Sequence, residues 1–341
     1  MTVGEALQKV VRGESLNADE AAGAMTMIMG GEAPATQVAA LLTALRMKGE
    51  TVEEIAGFAR IMREHAVRLS PTRTPLVDTC GTGGDKLKTF NISTAAAFVV
   101  AGAGVGVAKH GNRSVTSKSG SADVLEALGI TLTIPPAAVE ACIDRIGIGF
   151  LFAPSFHPAM KHAGPVRKEI GIRTVFNILG PLTNPAGAPC QVIGVFDAAL
   201  TEPLARVLGM LGSLRAFVVH GLVGLDEWST AGPTQVSELR DGAVTTRIYR
   251  SADVGLPEAP PDALLGGGPA ENAELIHALF RGQAGPQRDI VLLNAAAALV
   301  AAGAATHIAD GIEQAAVSID SGAALAKLVA LREMTHELAT V

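Results

Sequence analysis

Tyrosine and tryptophan are nearly missing from this sequence, with one of each in 341 residues, and all aromatics together reach only 4%. Single-stranded nucleic acids are held by stacking rings along a basic groove, so few rings and a net charge of −6 argue against that class. Cysteine is scarce as well. Cys80, Cys142 and Cys190 are far apart, odd in number and without CxxC spacing. That excludes a disulfide framework and a zinc ribbon and fits a reducing compartment. The longest apolar run, residues 95 to 108, falls short of the roughly 20 residues a bilayer demands and is broken by Gly102, Gly104 and Gly106. The first residues, MTVGEALQKVVRGESL, hold neither an apolar signal core nor a small-residue cleavage site. These absences predict a cytoplasmic protein with no membrane and no nucleic-acid partner.

One absence is local. From Lys86 to Ala122 there is no Asp or Glu, although the chain as a whole is acidic. A protein that clears negative charge from one stretch is expected to have built an anion site there. Within it, residues 109 to 121 read KHGNRSVTSKSGS. Lys109, His110, Arg113 and Lys118 supply positive charge, while Asn112, Ser114, Thr116, Ser117, Ser119 and Ser121 supply short hydrogen-bonding arms. A solvated surface loop would explain the charge but not the density of small residues. Just upstream, DTCGTGGD (78 to 85) places Gly81, Gly83 and Gly84 where backbone N–H groups can approach phosphate oxygens without a Cβ in the way. It matches neither GxxxxGK[ST] nor GxGxxG, so no nucleotide fingerprint is present. The loop runs into Asn91-Ile92-Ser93-Thr94, hydroxyl-bearing residues before a helical AAAFVVAGA, and a helix N-terminus of this kind suits an anion or a metal-linked phosphate. A plain strand–loop–helix turn with a capped helix is the alternative reading of these residues.

The organisation of the chain follows from its periodicities. Residues 1 to 69 read as three short helices. Asn17 with Glu20, and Thr51 with Glu54, have capping-box spacing, and Val38, Leu41, Leu42 and Leu45 recur as one buried face. A linker, SPTRTP (70 to 75), follows. From Leu76 short apolar strands alternate with helices: strands are expected at 76–78, 105–108, 130–133, 149–152, 190–196 and 216–220, and helices at 93–103, 121–128, 136–146 and 201–212. The alternation predicts an α/β fold with a mostly parallel central sheet and helices on both faces. Residues 157 to 185 break the pattern, and residues 250 to 275 read as an irregular connection. The expected domains are therefore a small α-helical one over 1–70, joined by helices from about 157–185, and a large α/β one over 76–341. Ligands in such sheets sit beyond the carboxyl ends of the strands, where the loops at 78–85, 109–121 and 220–228 all emerge.

Two further groups have chemistry in reach. Asp226 and Glu227, adjacent in a loop, can share a hard cation such as Mg²⁺ with a hydroxyl and substrate oxygens, although such a pair is more often solvated charge. Arg167, in the helical break with His157 and His162, can hold a carboxylate in a fork, although a basic helix residue is by default surface charge.

Taken in order, DTCGTGGD, NIST, KHGNRSVTSKSGSADVLEALG, VRKEIGIRTVFNILGPLTNP and HGLVGLDE closely resemble the anthranilate phosphoribosyltransferases of tryptophan biosynthesis, over essentially the whole chain. The resemblance implies a nucleoside phosphorylase-like fold, a homodimer through the helical part, and transfer of a phosphoribosyl group from 5-phosphoribosyl-1-pyrophosphate (PRPP) to anthranilate. It implies PRPP contacts at Gly81, Gly84, Asp85, Thr89, Asn91, Ile92, Ser93, Thr94, Lys109, His110, Gly111, Asn112, Arg113, Ser114, Val115, Thr116, Ser117 and Ser121. Mg²⁺ is implied at Ser93, Asp226 and Glu227. Anthranilate is implied at Gly81, Asn112 and Arg167, with His110, His157 and Pro181 lining its approach. No dedicated acid or base is implied; His110 is a possible assistant in proton loss. Thr116 stands where a Ser is frequent and Val223 where an acid often precedes GLDE, neither of which removes a ligand. Pyrimidine nucleoside phosphorylases are the nearest rival family, and a silent nucleic-acid-binding member of the fold is the rival of another class.

Overall fold

A computed structural model describes residues 1–84, 87–114 and 118–339. Its sheet is built from β1 (Leu76–Gly81), β2 (Gly106–Gly111), β3 (Ile148–Phe152), β4 (Cys190–Gly194), β5 (Arg215–Gly221), β6 (Thr234–Arg240) and β7 (Ala243–Tyr249). The spatial order is β3-β2-β1-β4-β5-β6-β7. The first five in that order are parallel, and β6 and β7 are antiparallel to their neighbours. The strands β1 to β5 are buried almost throughout, as strands covered on both faces must be. Successive residues feed different cores. Val77, Val192, Phe217 and Val219 pack with the helices Ile92–Gly102 and Pro286–Ala301 on one face. Cys80, Ile193, Ala216 and Val218 pack on the other with Thr201–Met210 and the N-terminal helices.

Those N-terminal helices number four: Val3–Val10, Ala18–Gly30, Ala35–Lys48 and Val52–Glu64. Val3–Val10 is the one the sequence reading passed over. Both expected capping boxes form, and Thr2 with Glu5 makes a third. Glu54 is fully buried because it has three donors to satisfy: the backbone N–H groups of Leu16 (2.9 Å) and Thr51 (2.8 Å), and Lys48 Nζ (3.0 Å). Gly57 lets Ala18–Gly30 approach closely, since a Cβ there would lie 2.3 Å from the Ala18 carbonyl oxygen. The helix Met160–Ile170 packs against Ala18–Gly30 and Ala35–Lys48. A small helical domain thus sits beside a larger α/β domain. Among the described residues no single helix is long and apolar enough to cross a membrane.

Two sequence expectations are corrected, and one hairpin is added. Residues 130 to 133 are not a strand. Ile130, Leu132 and Ile134 are buried alternately, but the N–H of Ile130 closes the end of the helix Ser121–Ala127 on the Leu125 carbonyl, and that of Thr131 goes to Thr335 Oγ1. Period-two burial is satisfied here against side chains, with no ladder. The hairpin β6–β7 was unforeseen, although Asp241-Gly242, with φ of 52° and 76°, is the two-residue turn that such a hairpin requires. Finally, the irregular stretch ends at Pro269, where the helix Pro269–Phe280 begins with proline in its first turn.

Candidate functional site

The carboxyl ends of β1, β2, β4 and β5 bring the expected loops into contact. The pivot is Lys109 near the end of β2, only 3% exposed. Its Nζ donates to the Thr79 carbonyl and lies 3.4 Å from Ser93 Oγ. Thr79 Oγ1 in turn donates to the Ser93 carbonyl (3.0 Å), and the Ser93 N–H donates to Glu227 Oε1 (3.0 Å). Residues from the glycine loop, the basic loop, the start of the helix Ile92–Gly102 and the loop after β5 therefore share one network.

Two glycines make that meeting possible. A Cβ on Gly194 would stand 1.5 Å from the Asp226 carbonyl oxygen, so only glycine at the end of β4 admits the 220–228 loop to the sheet edge. A Cβ on Gly81 would stand 3.1 Å from Asp226 Oδ2, which places that carboxylate over the glycine loop. Across the cleft, Asn91 Nδ2 donates to the Ser119 carbonyl (3.1 Å), and Asn91 Oδ1 accepts from Ser119 Oγ (3.1 Å) and Asn272 Nδ2 (2.9 Å). Ser121 Oγ donates to the Asn112 carbonyl (3.3 Å), and Gly111 lies under Ser121, where a Cβ would collide with it. Ile92 and Thr94 are buried, and Thr94 Oγ1 has no hydrogen-bond partner among the described residues. Thr89 pairs with Leu265.

Beneath the network lies a buried polar layer that the sequence reading missed. Asp78 is fully buried, accepting from the His110 N–H (3.1 Å) and from Asn184 Nδ2 (2.8 Å), which also donates to the Ala108 carbonyl (2.8 Å). Burial pushes the Asp78 carboxyl up and the Lys109 ammonium down, and each charge partly offsets the shift of the other. Asp78 thus ties β1 to β2 and to the 181–185 turn, setting where Lys109 and His110 stand. Burial and the Asp78 charge push the neighbouring Cys80 thiol well up, and its Sγ faces the Pro181 carbonyl.

His110 and His157 form a second group, ring centroids 5.1 Å apart. His110 Nδ1 lies 3.2 Å from the Gly180 carbonyl, to which it must donate, while His110 Nε2 and both His157 nitrogens have no hydrogen-bond partner among the described residues. Burial lowers His110 to about 3, reinforced by His157, and lowers His157 to about 4. Both rings are neutral at physiological pH, and so weak a base as His110 does not suit proton abstraction. The unfolded chain, with ordinary imidazoles near 6.5, binds more protons than the native one below that pH. Stability is therefore full above about pH 6.5 and declines as pH falls towards 4 and 3. A melting series from pH 7.5 to 4 should show the decline, and His157→Phe should flatten it; equal slopes would assign it to other groups.

Not every expected residue converges. Arg113 turns to Asp123 (3.1 Å) and Glu126 (2.7 Å from its Nη2), so its charge is engaged there and not held towards an anion. Asp123 also accepts from the N–H groups of Ser114 and Gly120, and Gly120 is the N-cap of the helix Ser121–Ala127. Arg167 stacks on Phe176, its Cζ 5.2 Å from the ring centroid, outside the Lys109 network. Burial alone lowers its pKa, with no carboxylate among the described residues offsetting it. Asp85, Val115, Thr116 and Ser117 lie outside the described residues. Ser93 Oγ and the carboxylates of Asp226 and Glu227 are an all-oxygen donor set that suits a hard divalent cation.

Known proteins resemble the chain throughout. A glycosyl transferase family helical bundle domain matches residues 4–66, and the a/b domain of the same family matches residues 73–325. An anthranilate phosphoribosyltransferase of Symbiobacterium thermophilum is 58% identical over 332 residues, 97% of each chain. The crystal structure of the enzyme of that name from Thermus thermophilus superposes with a TM-score of 0.92 at 46% identity, covering 97% of this chain and 99% of that one. The Saccharomyces cerevisiae enzyme, in complex with PRPP and Mg, superposes with a TM-score of 0.89 at 30% identity, covering 98% of each.

Proposed function

The chain belongs to the anthranilate phosphoribosyltransferase family, and from that premise we propose how its cleft carries the reaction. The enzyme is a pentosyltransferase. It moves the 5-phosphoribosyl group of PRPP to the amine of anthranilate, releasing pyrophosphate and forming N-(5-phosphoribosyl)anthranilate, the second step of tryptophan synthesis from chorismate. The observation that carries the reading is the meeting of Lys109, Ser93 and Glu227 with Gly81 and Asp226 at one sheet edge.

The barrier in such a displacement is positive charge growing at the ribose C1 and negative charge growing on the departing pyrophosphate. The glycine loop at 83–84 and Lys109 would donate to the phosphates of PRPP, in a frame fixed before substrate arrives because the Thr82 N–H is held by Gly194 and the Ser93 N–H by Glu227. Ser93, Asp226 and Glu227 would hold Mg²⁺, which when bound supplies neutralisation of the leaving group's charge. Asn112 and Arg167 would hold anthranilate, with His110, His157 and Pro181 as an uncharged wall along its approach. Anthranilate's amine is neutral near pH 7, so placing it over C1 supplies much of the rate without a base, and the acidic arylammonium formed on attack loses its proton to the departing pyrophosphate or to water. We assign no proton transfer to His110.

We place the domain boundary in the linker at 70–75, with helices from about 157–185 joining the helical unit. We place the homodimer contact on that unit, in the apolar groove between Val3–Val10 and Ala35–Lys48, where Val11 and Met47 are 66% and 84% exposed. Met47→Glu should then sediment as a monomer; an unchanged dimer would move the contact elsewhere.

The test of the activity is the decay of anthranilate fluorescence with PRPP, with and without Mg²⁺. A Mg²⁺-dependent decay establishes reaction and acceptor together. No decay from folded enzyme with intact PRPP would overturn the acceptor, and phosphate-dependent release of base from thymidine or uridine would then favour the nucleoside phosphorylases.

A further inference from the structure

Arg173 stands at the glycine loop. A Cβ on Gly84 would lie 1.5 Å from Arg173 Nη2, so the guanidinium occupies the space that the absent side chain leaves. It is not loosely placed. Its Cζ lies 4.1 Å from the centroid of the Phe196 ring, and the Phe196 N–H donates to Thr82 Oγ1 (3.1 Å), so platform and glycine loop are fastened together. The Thr82 N–H also donates to the Gly194 carbonyl (2.9 Å), which ties the loop to the end of β4. Arg173 Nη1 is buried and has no hydrogen-bond partner among the described residues. A buried guanidinium N–H without an acceptor is costly unless something fills the gap, and the fork geometry suits two oxygens of a phosphate. The residue comes from the segment after the helix Met160–Ile170, which packs on the N-terminal helices, so it reaches the loop from the opposite wall of the cleft.

We infer that Arg173 is a second-wall clamp for the pyrophosphate group of the donor, closing over the oxygens that the glycine loop receives. The inference rests on the assignment of PRPP to that loop. Seated over Phe196, the guanidinium keeps Nη1 without a protein partner and able to donate, and its charge is worth most as the pyrophosphate departs, when negative charge on it is greatest. Lysine would keep the charge and lose both the fork and the stacking.

The experiment compares wild type, Arg173→Ala and Arg173→Lys as full chains. It measures KM for each substrate, kcat, and binding of pyrophosphate with Mg²⁺ by calorimetry. Arg173→Ala should raise the PRPP KM and the pyrophosphate Kd about tenfold to a hundredfold. The anthranilate KM should stay within about twofold, and Arg173→Lys should recover only part of the loss. A merely structural role would shift both substrates together. Unchanged pyrophosphate binding in a folded variant, where the wild type binds it, would overturn the role of Arg173 alone. A wild type that binds neither pyrophosphate nor PRPP would overturn the donor site and this inference with it. Should Arg173→Ala fail to fold, Arg173→Lys carries the same comparison.

Discussion

Asp226→Asn combined with Glu227→Gln is expected to lower kcat/KM on the order of a hundredfold to a thousandfold and to move the Mg²⁺ dependence to higher concentration, with little change in melting temperature. The amides are chosen because they preserve what the carboxylates do for the fold. Glu227 Oε1 accepts the Ser93 N–H, and a glutamine carbonyl oxygen can accept it as well. Asp226 reaches the sheet edge through its backbone carbonyl against Gly194, which the substitution leaves alone. Shape is kept, the negative charge is removed, and one carboxylate oxygen of each side chain becomes an NH2 donor. Two roles for that charge compete. It can hold a divalent cation, or it can serve as counter-charge to the buried Lys109, whose pKa Glu227 helps to raise. The second role is minor, because Asp78 offsets the burial of Lys109 more than Glu227 does. A counter-charge alone would alter stability and leave the Mg²⁺ titration where it was. An unmoved titration would remove both residues from the metal site.

How much of this was legible in the sequence depended on whether the signal was local. Capping boxes at Asn17 and Thr51 are four-residue patterns, and both formed. The glycine loop, the acid-free stretch and the adjacent carboxylates are runs of neighbours, and their strand-end placement followed from the α/β alternation. The hairpin β6–β7 is signalled by Asp241-Gly242, but its polar alternation, TQVSELR then AVTTRIY, lacks the apolar density that marks the buried strands. The strand expected at 130–133 failed for the opposite reason. Its apolar alternation is real, but burial by a helix gives the same pattern as burial in a sheet, and only the ladder separates them. Gly194 could not be read at all, since what it admits is the backbone of Asp226 from 32 positions away. Asp78 and Arg113 show the same limit for charge. One is buried under the site and the other is drawn to Asp123 and Glu126, and nothing in the loop composition distinguishes a cation facing a ligand from one facing its own helix.

Arg167→Ala should raise the KM for anthranilate about tenfold to a hundredfold while leaving that for PRPP nearly unchanged, since a charge-assisted fork to a carboxylate contributes about 1.5 to 3 kcal/mol. The side chain is poised for such a partner. It is half-buried over Phe176, and burial alone moves its pKa, so no carboxylate among the described residues already offsets its charge. A surface arginine would be solvated, and its removal would change neither KM. A purely packing role against Phe176 would lower stability and disturb both substrates through the 171–185 segment, which also carries Arg173 and Pro181. The two arginines therefore make a paired test on one stretch of chain. Loss at position 167 should register on the acceptor and loss at position 173 on the donor. Measured side by side with Arg167→Lys, which keeps the charge without the fork, the split in KM separates recognition from scaffolding. Equal effects of Arg167→Ala on both substrates would refute the assignment of Arg167 to anthranilate.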